Sequence, residues 1–152
     1  MPAARVQIRR GRRTDFTAVM QLLAASGVAL PAPDRATLRR FRNLVNDLGT
    51  DFYLALVDGA LAGLVHVTYA RQLSAVPLAR LEQLLVAKPL RRHGVGTALL
   101  AFVQQRARRR GCGALSCVLA PTEWPARQLL EKAGLRPDGE SFAMPLADNH
   151  DG

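Results

Sequence analysis

Leu84-Leu85-Val86-Ala87-Lys88-Pro89-Leu90-Arg91-Arg92-His93-Gly94-Val95-Gly96-Thr97 passes from an apolar run into a basic turn with two glycines. About four turns of helical pattern follow, ending near Gly111. Strand, glycine turn and helix in that order bind phosphate. The first N–H groups of a helix have no partner inside it, and the helix dipole places partial positive charge there. Glycine lets a pyrophosphate approach those groups without meeting a Cβ. Arg91 and Arg92 add full positive charge at the same mouth. The plainer alternative, a helix start that merely turns with glycine, accounts for fewer of these features together.

Two other phosphate motifs do not fit. The dinucleotide fingerprint needs a third glycine where Leu99 stands, and no Gly-Lys-Ser/Thr follows to make a P-loop. The remaining pattern, Arg91-x-x-Gly94-x-Gly96, resembles motif A of the GNAT superfamily, the N-acetyltransferases that use acetyl-CoA. Val86-x-x-Pro89 is similar to that family's lead-in.

Working outward, 152 residues predict one domain over 1–152, large enough to bury a core. Hydrophobic residues make up 49%, which excludes a disordered chain. No apolar run reaches the length of a membrane span, and the arginines of residues 1–20 precede no apolar signal core. Cys112 and Cys117 are too few for a disulfide framework or a four-cysteine zinc site, and read as small apolar fillers. No metal is expected, and a reducing cytoplasm fits. The net charge of +9 admits nucleic acid, an acidic membrane surface or an anionic ligand. The arginines are dispersed, and those at 106–110 sit where cations oppose a helix dipole. With 19 Arg against 2 Lys, coding bias explains part of the charge, and 5% aromatic residues give little material for base stacking. Nucleic acid and membrane are therefore not favoured as partners.

Periodicity supplies the other elements. Val6 to Arg9 reads as a strand, and Thr14 or Asp15 caps a helix carrying Phe16, Val19, Met20, Leu22 and Leu23. Pro31-Ala32-Pro33 makes a loop, and Asp34 caps a second helix through Leu48. Phe52 to Val57 and Ala60 to Tyr69 flank the hairpin turn Asp58-Gly59. A loop at 70–78 leads to a strand at Leu81 to Val86, where Leu84-Leu85-Val86 breaks alternation. A bulge and a strand buried on both faces explain that break equally well. Ala114 to Leu119 is a further strand, parallel to 81–86 because a helix connects them. Pro121-Thr122 starts a last helix, and a weak strand pair uses Leu135-Arg136 and Phe142 to Met144. The order β-α-α-β-β-β-α-β-α-β matches the GNAT fold, an α/β (α+β) architecture with a mixed, mostly antiparallel central sheet flanked by helices.

The resemblance implies a site. Backbone at Leu84, Leu85 and Val86 would bind the pantetheine arm of acetyl-CoA. The turn of Arg91, Arg92, His93, Gly94, Val95, Gly96 and Thr97 would hold its pyrophosphate. A backbone N–H at Leu85 would stabilise the oxyanion. Glu82 is the acid nearest this site and the candidate base for the attacking amine; a solvent-side residue paired with Arg80 or Arg92 is an equal reading. The family's Asn-x-x-Ala-x-x-x-Tyr is absent: Glu123 stands at the Asn position and Leu130 at the Tyr position, so the usual general acid is missing. His66, Tyr53 and Tyr69 are the available substitutes. Residues 26–34 and 70–78 would shape the acceptor site. The expected activity is acetyl transfer from acetyl-CoA to an amine on a small molecule or protein, and a homodimer is compatible with it. The alternatives are a CoA-binding protein without catalysis and a small basic nucleic-acid binder.

Overall fold

The apolar periodicities of the three long helices and the central strands find a buried side in the computed structural model, which describes residues 5–27, 32–119 and 124–146. The chain divides into two units, Met1–Cys117 and Val118–Gly152. The first holds strands β1 (Val6–Arg10), β2 (Asp51–Val57), β3 (Ala60–Ala70), β4 (Leu78–Val86) and β5 (Ala114–Cys117). Its helices are α1 (Phe16–Ala25), α2 (Arg35–Asn46) and α3 (Val95–Arg109). The five strands lie in chain order across one sheet. Neighbours from β1 to β4 are antiparallel, and β5 runs parallel to β4 across the α3 connection. This is the mixed sheet with flanking helices that the element order implies.

The sheet is covered on both faces. Val19 and Leu22 of α1, with Phe41 and Val45 of α2, pack on Phe52, Leu54 and Leu64. Phe41 meets Phe52 edge-on, with ring centres 5.8 Å apart. Successive strand residues face opposite sides, so Gly63 looks to the other face. There α3 buries Val95, Leu99, Leu100 and Val103. A Cβ on Gly63 would stand 2.7 Å from the Leu85 carbonyl oxygen and 3.2 Å from Leu99 Cδ1. Glycine at 63 therefore lets α3, β3 and β4 close together. The far end of α3 finishes as expected: Gly111 has φ +75, its N–H bonds Arg108 O at 3.0 Å, and Cys112 N–H bonds Ala107 O at 3.0 Å.

Several boundaries differ from expectation. Helix α2 stops at Asn46 rather than Leu48, because Asp47 turns extended and its Oδ1 accepts the Gly49 N–H at 2.8 Å. Leu48 is left 78% exposed. Strand β4 begins at Leu78, three residues early, because Leu78 pairs with both Ala70 and Ala114. Strand β5 ends at Cys117, short of Leu119. Cys112 and Cys117 are both half-buried.

The second unit contains α4 (Trp124–Lys132), on which Leu130 is buried. The expected start at Pro121-Thr122, and Glu123, lie outside the described residues. The expected final strand pair is not formed: residues 135–136 and 142–144 join no sheet, and Phe142 and Met144 are exposed. Pro137 and Pro145 on either side lack the N–H a ladder needs. No helix of the described residues is long and apolar enough to cross a membrane.

Candidate active site

The turn after β4 is built to leave donors free. Lys88–Leu90 forms one 3-10 turn that starts at the strand end, with Pro89 inside it. Arg92 then takes φ +67 and Gly94 φ +84, two left-handed residues that fold the chain back into α3. The first α3 bond of the helical ladder runs from Ala98 N–H to Gly94 O at 3.0 Å. The N–H groups of Val95, Gly96 and Thr97 thus precede the ladder and have no partner within the helix. His93 N–H is directed to Leu90 O at 3.4 Å. Arg91, Arg92, His93, Gly94 and Thr97 are exposed, whereas Val95 turns its side chain into the core. The left-handed conformation is needed at Gly94; Gly96 lies inside α3 without it.

Strand β4 has an open edge beside this turn. Its pairing with β5 covers Leu78 to Leu81 and stops at Cys117, so residues 82–86 have no β5 partner. The β3–β4 register slips at the same place: His66 pairs with Gln83 and Val67 with Leu81, leaving Glu82 as the extra residue. This is a bulge, and it sits two residues before the run in which the sequence suggested one. Beyond it the ladder decides which backbone groups face outward. Ala87 N–H bonds Ala62 O at 2.7 Å, and the Leu85 carbonyl lies against Gly63, so residues 85 and 87 point toward β3. Alternation then turns the groups of Leu84 and Val86 to the open edge, and Val86 O accepts Arg91 Nε at 3.3 Å. The Leu85 N–H, the expected oxyanion donor, therefore faces the β3 ladder, and the Leu84 N–H faces outward.

Glu82 is exposed at the bulge. Its Oε1 accepts the Thr68 hydroxyl at 2.6 Å, and neither Arg80 nor Arg92 pairs with it among the described residues. Leu64 and Leu85 are opposite each other in the ladder, as are His66 and Gln83, so they share the face covered by α1 and α2. Thr68, two residues beyond His66, belongs to that face, and Glu82 with it. Glu82 thus lies at the surface of the sheet and not within the apolar core. The carboxylate stands just beyond the last β4–β5 pair, Leu81 with Cys117, and accepts one hydrogen bond.

The sequence model of the acetyltransferase (GNAT) family matches residues 16–135. The chain belongs to the GNAT acetyltransferase family. Solved structures share its fold at low identity. A transcriptional regulator from Bacillus halodurans C-125 is 20% identical, with 93% of this chain and 100% of that one covered at a TM-score of 0.82. Ribosomal-protein-alanine N-acetyltransferase from Brucella melitensis biovar Abortus 2308 is 20% identical over 93% and 100% of the two chains, at 0.76. Aminoglycoside N-acetyltransferase AAC(6')-Iy, solved in complex with CoA, is 19% identical over 97% and 99%, at 0.78. Comparison with curated protein sequences finds no match.

In this GNAT protein the substitutes for the missing tyrosine are engaged elsewhere. Tyr53 packs on Phe102 at 4.6 Å between ring centres and lies under the Arg106 guanidinium. Tyr69 donates its hydroxyl to Asp51, and burial, reinforced by that bond, pushes its pKa upward. Both belong to the α3 face, away from Glu82. His66 shares the Glu82 face but stands edge-on to Phe52, 6.2 Å between ring centres. Burial pulls its pKa below the ordinary value, against the weaker opposing pull of Glu82 and Asp47, which disfavours the imidazolium form that an acid would use. Its buried Nε2 has no hydrogen-bond partner among the described residues.

Two features escaped the sequence reading. Thr68 is one, because only the bulge brings it to Glu82. Asp51 is the other: it is 2% exposed and gathers Arg106 at 3.0 Å, Arg110 at 2.9 Å and the Tyr69 hydroxyl. Arg106 and Arg110 therefore serve as partners of a buried carboxylate as well as cations at a helix end. Among the described residues no three His, Cys, Asp or Glu side chains gather into a metal site.

Proposed function

We propose that this GNAT protein, acting as one domain over residues 1–152, transfers an acetyl group directly from acetyl-CoA to an amine. The observation that carries the reading is the coincidence of free helix N–H groups, two cationic residues and an open strand edge along one side of β4. The pyrophosphate is taken by the turn from Arg91 to Thr97, chiefly through the N–H groups of Val95, Gly96 and Thr97. The pantetheine arm lies along β4 and bonds the outward groups of Leu84 and Val86, with Leu85 supplying side-chain packing. Glu82 accepts a proton from the amine nitrogen as that nitrogen bonds the acetyl carbon. The carbonyl oxygen takes up the negative charge beside Leu84 N–H. The C–S bond then breaks and the thiolate departs; with a thiol pKa of ~8.5 it leaves without a dedicated acid, consistent with leucine at position 130.

A thermal-shift titration tests the cofactor half of this reading. CoA and acetyl-CoA at a hundredfold excess over Kd should each stabilise the protein by about 2.7 kcal/mol. For a chain of this size that raises Tm by roughly 5–10 °C. No shift with CoA, together with one from a short RNA at low salt, would replace the acetyltransferase with a basic nucleic-acid binder. A CoA shift without thiol release across an amine panel would leave a CoA-binding protein.

A further inference from the structure

Helix α2 carries Arg35, Arg39, Arg40 and Arg42, all exposed, and no acidic residue between Arg35 and Asn46. Arg35, Arg39 and Arg42 recur at i, i+4 and i+7, forming one exposed stripe about 10 Å long. The arrangement works against the helix. Arg35 occupies the first helical residue, where the dipole disfavours a cation, and like charges four residues apart repel. On α3 and α4 the arginines are treated differently. Arg106 and Arg110 are matched to Asp51 and Arg127 to Glu131, while Arg108 and Arg109 stand in a last turn that favours them. Among the described residues the α2 stripe has neither compensation. Asp34, the acid at its start, is held below the ordinary carboxylate range by the Thr37 N–H, with Arg40 a lesser influence. An arginine-rich composition explains the number of arginines but not this placement.

We infer that the stripe of Arg35, Arg39 and Arg42 docks an acidic peptide segment of the amine acceptor. This rests on the acetyl-transfer reading. Helix α2 packs on the sheet face that also carries Thr68 and Glu82, so a chain lying on α2 approaches the site from its own side. Guanidinium forks at intervals of about 5–6 Å suit carboxylates presented along a peptide. Their field reaches about 8 Å at physiological salt and steers an anionic partner inward. A nucleic acid is a poorer fit. A firmly bound duplex engages roughly six to ten phosphates, whereas α2 presents four cations and no exposed aromatic ring.

The test works with a generic acidic peptide in place of the acceptor itself. A dye-labelled hexaglutamate peptide with a free N-terminal amine is titrated with the full chain by fluorescence anisotropy. Binding should weaken about tenfold between roughly 50 and 200 mM salt. The triple variant Arg35→Gln, Arg39→Gln, Arg42→Gln should weaken it at least about tenfold. The control variant Arg5→Gln, Arg108→Gln, Arg109→Gln removes the same charge elsewhere and should retain most of the affinity. Equal losses in the two variants mean net charge alone binds the peptide, which overturns the proposal. So does an RNA hexanucleotide that binds more tightly than the peptide and is lost in the α2 variant. The CoA-induced thermal shift should be the same in both variants and the parent. If the parent shows no CoA shift but the α2 variant alone loses peptide, the acetyl-transfer reading fails while the docking surface stands.

Discussion

At Glu82, one carboxylate oxygen accepts the Thr68 hydroxyl, and the other is available to take a proton. Glutamine at 82 still accepts that hydroxyl, so Glu82→Gln removes the proposed base without removing the hydrogen bond. It should lower the rate with an amine acceptor roughly 10²-fold and leave the CoA thermal shift intact. A rate unchanged between pH 6 and 9 would take Glu82 out of the mechanism. Thr68→Val removes the orienting bond and keeps the shape. The rate should fall less, about three- to tenfold, and Thr68→Ser should restore it. Neither residue predicts the other in the sequence. Glu82 stands out as an acid in an apolar run, while Thr68 is an ordinary strand residue fourteen positions away.

Among the elements, the β4–turn–α3 unit is held by two glycines with different physical roles. Gly94 is required by its left-handed φ of +84, with open space around it. Gly94→Val should therefore strain the turn and erase most of the CoA shift, with a smaller fall in the ligand-free Tm. A ligand-free fall as large as the lost shift would mean the substitution only unfolds the turn. Gly63 is required by crowding: an added Cβ meets backbone at Leu85 O, 2.7 Å away, which no rotamer change relieves. Gly63→Ala should cost about 1–3 kcal/mol and weaken CoA binding as well, because β4 and α3 must move apart. Retention of parental Tm and CoA affinity would show that the contact yields easily. The Arg91-x-x-Gly94-x-Gly96 pattern made the turn legible in the sequence. The outward direction of Leu84 rather than Leu85 was not legible, because a single bulge at Glu82 resets the alternation.

Across the molecule, Asp51 joins β2 to β3 and to the end of α3, and Arg10 adds a bond from β1 to Asp47 O at 2.8 Å. Burial pushes the Asp51 carboxyl up, but hydrogen bonds from Arg106 and Tyr69 and the nearby guanidinium charges outweigh it, so its pKa lies below the ordinary value. The hydrogen bond and charge of Arg9 do the same for Asp15, against a smaller burial effect. A carboxylate with a depressed folded pKa contributes stability that is complete above its unfolded value of about 3.9. That contribution is lost as pH falls through the lower folded value. Asp51→Asn should cost about 3 kcal/mol near neutrality, since Arg106 and Arg110 lose their counter-charge. Below about pH 4 the gap in Tm between parent and variant should narrow. A gap of constant size down to pH 2 would show that the charge of Asp51 is not what the network uses.

The sequence by itself determined the elements whose cause is local. A period of 3.6 or 2, a cap at Asp34 and the Asp58-Gly59 turn placed α1, α2, α3 and the central strands within a few residues, and one motif located the turn that opens α3. Those features depend on neighbours along the chain. Tertiary structure alone decided what depends on register and distance. It left 135–136 and 142–144 outside any sheet, ended β5 at Cys117, and turned the N–H of Leu84 rather than that of Leu85 outward. It also set Thr68 against Glu82 and buried Asp51 under two arginines more than fifty positions away. Such pairings have no local signature, because strand alignment and helix packing bring their partners together only after the chain has folded.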